Sequence, residues 1–114
     1  METRTTIIVT LRVEGFHCWP DAREKFPTMG FLADRHRHIF HIKAEKIVTH
    51  DDRDVEIIDF KRKIENHIKH TWGRPAEFKG MSCEALARLL HTKFDLVSCE
   101  VLEDGENGAK VTNI

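Results

Sequence analysis

From Thr5 to Glu14 the chain alternates apolar and mostly polar residues. Ile7, Val9, Leu11 and Val13 fall on one side of an extended backbone, and Thr6, Thr10, Arg12 and Glu14 on the other, with Ile8 the exception. A helix would scatter these positions around its axis, whereas a strand gathers them, because successive side chains point to opposite faces. The β-branched content favours the same conformation. A strand with one apolar face needs a second layer to cover it, so the rest of the chain must supply one. Gly15-Phe16-His17-Cys18-Trp19-Pro20 ends this strand, since Pro20 has no N–H for a central ladder. Asp21 to Gly30 reads as a loop with room for one helical turn. A second stretch of period 2 runs from Arg37 to Thr49, with His38, Phe40, Ile42, Ala44 and Val48 on one face and Lys43 and Glu45 on the other.

The period then changes. His50 to Asp54 is a polar turn, followed by a short apolar piece, Val55-Glu56-Ile57-Ile58. The three acids there, Asp51, Asp52 and Asp54, lack the loop length and glycine placement of a calcium-binding loop and read as a solvated turn. Asp59 is the expected cap of a helix whose Phe60, Ile64, Ile68 and Trp72 recur every four residues as one buried stripe. Gly73-Arg74-Pro75 stops it. Ser82 caps a second helix, Glu84 complements its dipole, and Leu86, Leu89, Leu90 and Phe94 form its stripe. A third strand over Asp95–Glu103 carries Val97, Cys99 and Val101 on one face. Asp104 to Gly108 is a turn, and Ala109–Ile114 a closing strand. The expected fold is a single α+β domain over residues 1–114, ordered β-β-α-α-β-β. It has a four-stranded antiparallel sheet and both helices on one face. Such a sheet leaves two edges open, and pairing edges between subunits of a homo-oligomer is a common remedy.

Composition narrows the function classes. The 18 Lys+Arg and 19 Asp+Glu nearly cancel, which argues against a nucleic-acid binder, whose basic excess neutralises phosphates. No run approaches the roughly 18 apolar residues of a membrane span, and the N-terminus shows no signal-peptide pattern. Three widely spaced cysteines, Cys18, Cys83 and Cys99, read as reduced thiols and point to the cytoplasm.

Eight histidines are the anomaly. In His36-Arg37-His38 the two imidazoles lie at i and i+2 of a strand, so they point the same way with Cα atoms roughly 6.6–7 Å apart. Two rings so placed can converge on one metal ion at about 2.0–2.1 Å per zinc–nitrogen bond. His17, at the end of the first strand, is placed to be the third ligand if the two strands pair. Three histidines would leave a tetrahedral ion one open position, the arrangement of catalytic zinc.

These residues carry a resemblance. Val13-Glu14-Gly15-Phe16-His17 followed by His36-Arg37-His38-Ile39-Phe40 resembles the 6-pyruvoyltetrahydropterin and 6-carboxytetrahydropterin synthase family, the tunnelling-fold enzymes. Ile57-Ile58-Asp59-Phe60 looks like the family's opening of the first helix, and Met81-Ser82-Cys83-Glu84-Ala85 like that of the second. Cys99-Glu100-Val101-Leu102-Glu103 looks like its late strand. The resemblance implies a tunnelling fold whose subunits close into a barrel, a hexamer, zinc on His17, His36 and His38, and a pterin- or purine-type heterocycle held by Glu103 and Glu84. A carboxylate accepts two parallel N–H bonds from the amidine-like edge of such a ring.

The departures matter equally. The family's catalytic cysteine, four residues before His-x-His, is Leu32 here, which transfers no proton. Cys18 points away from His17 if strand alternation continues. The stretch after the first helix, His70-Thr71-Trp72-Gly73-Arg74-Pro75, lacks the family's Asp-His pair, and His67 and His70 read as members of a solvated helix face. Arg37 replaces a glycine. Three readings follow: a zinc-containing binder of a heterocycle without synthase chemistry, with no assigned catalytic residue; a divergent zinc-dependent carbon–oxygen lyase of the same type; and a metal-free oligomeric interaction module.

Overall fold

The computed structural model describes residues 1–114. Strand β1 spans Thr5–His17 and pairs antiparallel with β2, His36–Val48, in a register running from Thr5↔Val48 to His17↔His36. β1 therefore continues three residues past the alternating segment. Gly15 permits this: a Cβ there would sit 2.7 Å from Phe78 Cε2 and 3.1 Å from Phe40 Cε2. Between the strands lie a one-turn helix, α1 (Ala22–Lys25), and a 3-10 helix over Pro27–Ala33, where the sequence reads as a loop with one turn. The Trp19 N–H donates to the Leu32 carbonyl at 2.7 Å and pins this excursion to the end of β1.

Helix α2 spans Ile57–Trp72 and buries Phe60, Ile64 and Ile68, as its spacing requires. Its cap is Glu56 and not Asp59: the Glu56 carboxylate accepts from the backbone N–H groups of Ile58 and Asp59, both at 3.0 Å. Ile57 and Ile58 are consequently in the first helical turn, exposed. Helix α3, Cys83–Lys93, is capped by Ser82, whose Oγ accepts from Ala85 N–H at 3.1 Å. Its buried face is Cys83, Leu86, Ala87 and Leu90, while Leu89 is 49% exposed.

The sheet corrects the sequence reading. It has five strands in the order β3-β1-β2-β4-β5, where β3 is Ala76–Lys79, β4 Ser98–Glu103 and β5 Asn107–Thr112. β3 pairs parallel with β1, so the sheet is mixed. The four-stranded antiparallel sheet with two helices, expected from the alternation and from the tunnelling-fold resemblance, does not describe this chain. The reason is physical. The 16 residues of α2 rise about 24 Å and return the chain to the far end of β1. A strand laid beside β1 there runs in the same direction. Four residues with Ala76 and Phe78 inward are too few for period 2 to announce itself.

A 17-residue core joins the inner sheet face to α2 and α3, with Phe40, Ile42, Ile64, Leu86, Leu90 and Val101 at its centre. At one end of this layer meet the end of β1, the start of β2, the start of α3 and the end of β4. No helix is long and apolar enough to cross a membrane.

Candidate metal centre

His17, His36 and His38 come together at that end. One ring nitrogen from each lies within 4.8 Å of the other two, and the three could hold a metal ion. Ring centroids are 4.6 Å apart for His17 and His36, 5.3 Å for His17 and His38, and 5.1 Å for His36 and His38. The cluster follows from the register. His17 pairs directly with His36, and alternation along β2 brings His38 to the same face. Phe40, the next residue on that face, packs edge-on against His17 and His38 at 5.2 and 5.8 Å and walls the cluster off from the core below.

The hydrogen bonds fix which nitrogen faces inward. His17 Nδ1–H donates to the Met81 carbonyl at 3.0 Å, and His36 Nδ1–H to the Asp34 carbonyl at 2.7 Å. His38 Nδ1 lies 2.7 Å from Asp104 Oδ2. All three partners are acceptors, so each Nδ1 carries the proton and each Nε2 presents a lone pair. Ligand histidines of metal sites are oriented by this kind of outer partner. His17 Nε2 is also the one buried side-chain polar atom without a hydrogen bond. Glu103 Oε2 lies 2.9 Å from it, but off the line a hydrogen bond would need. An orphaned buried lone pair facing a carboxylate is what a cation site requires and what a packed core avoids. Burial lowers the His17 pKa below its ordinary value, which keeps the ring neutral and able to ligate.

Beside the cluster opens a cleft of about 540 Å³, lined by His17, Cys18, Trp19, Leu32, His36, Met81, Cys83, Glu84, Glu103 and Asn107 among others. Both carboxylates expected to serve a ligand are therefore there, Glu84 exposed at the start of α3 and Glu103 half-buried at the end of β4. Leu32 stands in the wall. Cys18, which follows the last residue of β1, also lines the cleft. Burial and the neighbouring Glu103 and Glu84 push the Cys83 thiol up to about 12, so it stays an S–H. Arg37 lies on the opposite sheet face, paired with Glu14. It neither closes the cleft nor reaches into it.

His67 and His70 are elsewhere. His70 donates to the Asn66 carbonyl on the exposed side of α2, and His67 packs against Trp72 and Phe94. In the turn after β2, Asp54 accepts from the Thr49 N–H and hydroxyl, and Asp51 from the Thr5 hydroxyl, as a solvated turn requires.

The sequence alone does not mark Asp104 as a site residue. It stands at φ 55°, in the left-handed region, and its carboxylate spans two partners, the Ile39 N–H at 2.9 Å and His38 at 2.7 Å. These bonds, the Ile39 N–H first, hold its pKa below the ordinary carboxylate value. A carboxylate directly after a strand that pairs with β2 near His38 is the signal that would have found it. No family model matches this chain, and no curated protein matches it either.

Proposed function

We propose that this protein binds zinc on His17, His36 and His38 and takes a planar pterin- or purine-type heterocycle into the adjoining cleft, as a binder without synthase chemistry. The observation that carries the reading is the common orientation of the three imidazoles. Each is turned by an acceptor on Nδ1 so that its Nε2 lone pair is free, and two of the three, His17 and His36, line the adjoining cleft. Imidazole donors suit zinc, copper, iron and nickel alike, and the resemblance to the tetrahydropterin synthases favours zinc among them. When bound, zinc polarises an oxygen or nitrogen of a ligand. Glu84 and Glu103 supply acceptors for the N–H edge of the ring. Leu32 in the cleft wall supports binding over turnover, because the resemblance to the tetrahydropterin synthases places the proton-transferring cysteine there.

A second reading, a divergent lyase, is favoured by one observation: Cys18 shares the cleft with His17. General acid–base assistance contributes typically 10²–10⁴-fold to rate, so Cys18→Ala would cost a lyase about that much and a binder nothing. Self-association belongs to the same proposal, since β3 and β5 leave unpaired edges. Native mass spectrometry with elemental analysis tests metal, bound heterocycle and stoichiometry together. One zinc per chain, a retained ring compound and no turnover of dihydroneopterin triphosphate is the expected result. Steady production of a tetrahydropterin would overturn the binder reading.

A further inference from the structure

We infer that Glu103 is itself a ligand of the metal, so that in the absence of a heterocycle the centre is a closed set of three imidazoles and one carboxylate. This rests on the metal reading above and extends it to a fourth donor.

Both oxygens of Glu103 are turned toward two of the imidazoles, His17 and His38. Oε2 lies 2.9 Å from His17 Nε2, and Oε1 lies 3.7 Å from His38 Nε2. The register places the side chain there: Glu103 pairs with Phe40, two residues along β2 from His38 and on the same face. Two ordinary explanations of so close an approach fail. A proton on His17 Nε2 would make an N–H···O bond to the carboxylate, and a proton on Glu103 would make an O–H···N bond to the ring. Either bond needs a line between the two groups that the geometry does not offer, since His17 Nε2 is buried without a hydrogen-bond partner although Glu103 Oε2 is 2.9 Å away. His17 already spends its other nitrogen on the Met81 carbonyl. A cation shared by nitrogen and oxygen needs no N–H···O line, since each donor points its own lone pair at the ion. Cys83 stands beside Glu103 in the lining of the same cleft.

The consequence is chemical. Three histidines alone would leave a tetrahedral ion open, whereas Glu103 completes the set, the arrangement of a closed site. An entering ring must then meet Glu84 or draw Glu103 off the metal.

Cobalt titration of the full chain tests this, because the visible absorption of Co²⁺ reports its ligand set as well as its affinity. Glu103→Gln is expected to weaken Co²⁺ binding beyond the roughly 10–100-fold typical of losing an outer partner, and to change the visible band. Glu103→Asp keeps the charge but withdraws the oxygens by one methylene, and is expected to weaken binding as well. Glu100→Gln removes an equal charge from the other face of β4, opposite Lys43. It should leave affinity within about threefold, because its carboxylate points to the opposite sheet face and cannot reach the ion. Glu103→Gln and Glu103→Asp with wild-type affinity and an unchanged band would overturn the inference while leaving the three-histidine reading intact. A wild-type chain that takes up no Co²⁺ would overturn both.

Discussion

Asp104→Asn separates the orientation of a metal ligand from everything else the turn does. Asp104 accepts from two donors at once, the Ile39 N–H at 2.9 Å through Oδ1 and His38 Nδ1–H at 2.7 Å through Oδ2. Asparagine keeps one acceptor and replaces the other with an NH₂ group. If its oxygen stays on the Ile39 N–H, the amide nitrogen confronts a protonated Nδ1. His38 must then shift its proton to Nε2 and lose the lone pair aimed at the cluster. If the amide flips, the Ile39 N–H loses its partner and the charge behind His38 still disappears. Asparagine is also tolerated at the positive φ of this position, where alanine would add backbone strain. Zinc affinity should fall about 10–100-fold, with a melting temperature in chelator close to that of the unaltered chain. A competition titration against a chromophoric chelator reads the first quantity and a thermal melt the second. Unchanged zinc affinity in a folded Asp104→Asn chain would refute the claim that Asp104 sets the tautomer of a ligand.

The metal-free chain should lose stability as pH falls below about 6.5. The unfolded His17 binds its proton near that value, while burial lowers the folded pKa, so the unfolded state holds more protons there. His17→Gln should flatten this slope in melts at pH 7.5 and 5.5. Glu56→Ala should lower the melting temperature by removing the cap of α2. Because the Asp59 and Ile58 N–H groups depress the Glu56 pKa, its contribution is present above the ordinary carboxylate value and is lost as pH falls through the lower folded one. Gly15→Ala should destabilise the fold by about 1–3 kcal/mol through overpacking, since its Cβ would meet Phe78 at 2.7 Å. A denaturant midpoint equal to the parent's would count against that packing.

The long elements were legible because their periods had room to repeat. β1 and β2 alternate over many residues, and Phe60, Ile64 and Ile68 mark one face of α2 through more than two helical turns. β3 was not legible: Ala76 and Phe78 give two inward positions, and its place beside β1 depends on where α2 delivers the chain. The cap of α2 misled because Glu56 and Asp59 are both acids near the first turn, and only geometry selects between them. At the site, His36 and His38 were readable from strand alternation, and His17 from antiparallel pairing. The carbonyls of Met81 and Asp34 were not, since every residue has one and nothing in the side chains marks it.

The central claim is that His17, His36 and His38 act together as donors to one ion. Zinc stoichiometry by native mass spectrometry, on the unaltered chain and on the combined His17→Ala, His36→Ala and His38→Ala chain, tests it most directly. One tightly held zinc in the former and none in the latter is the expected result. Equal zinc uptake by the two chains, or none by either, would contradict it.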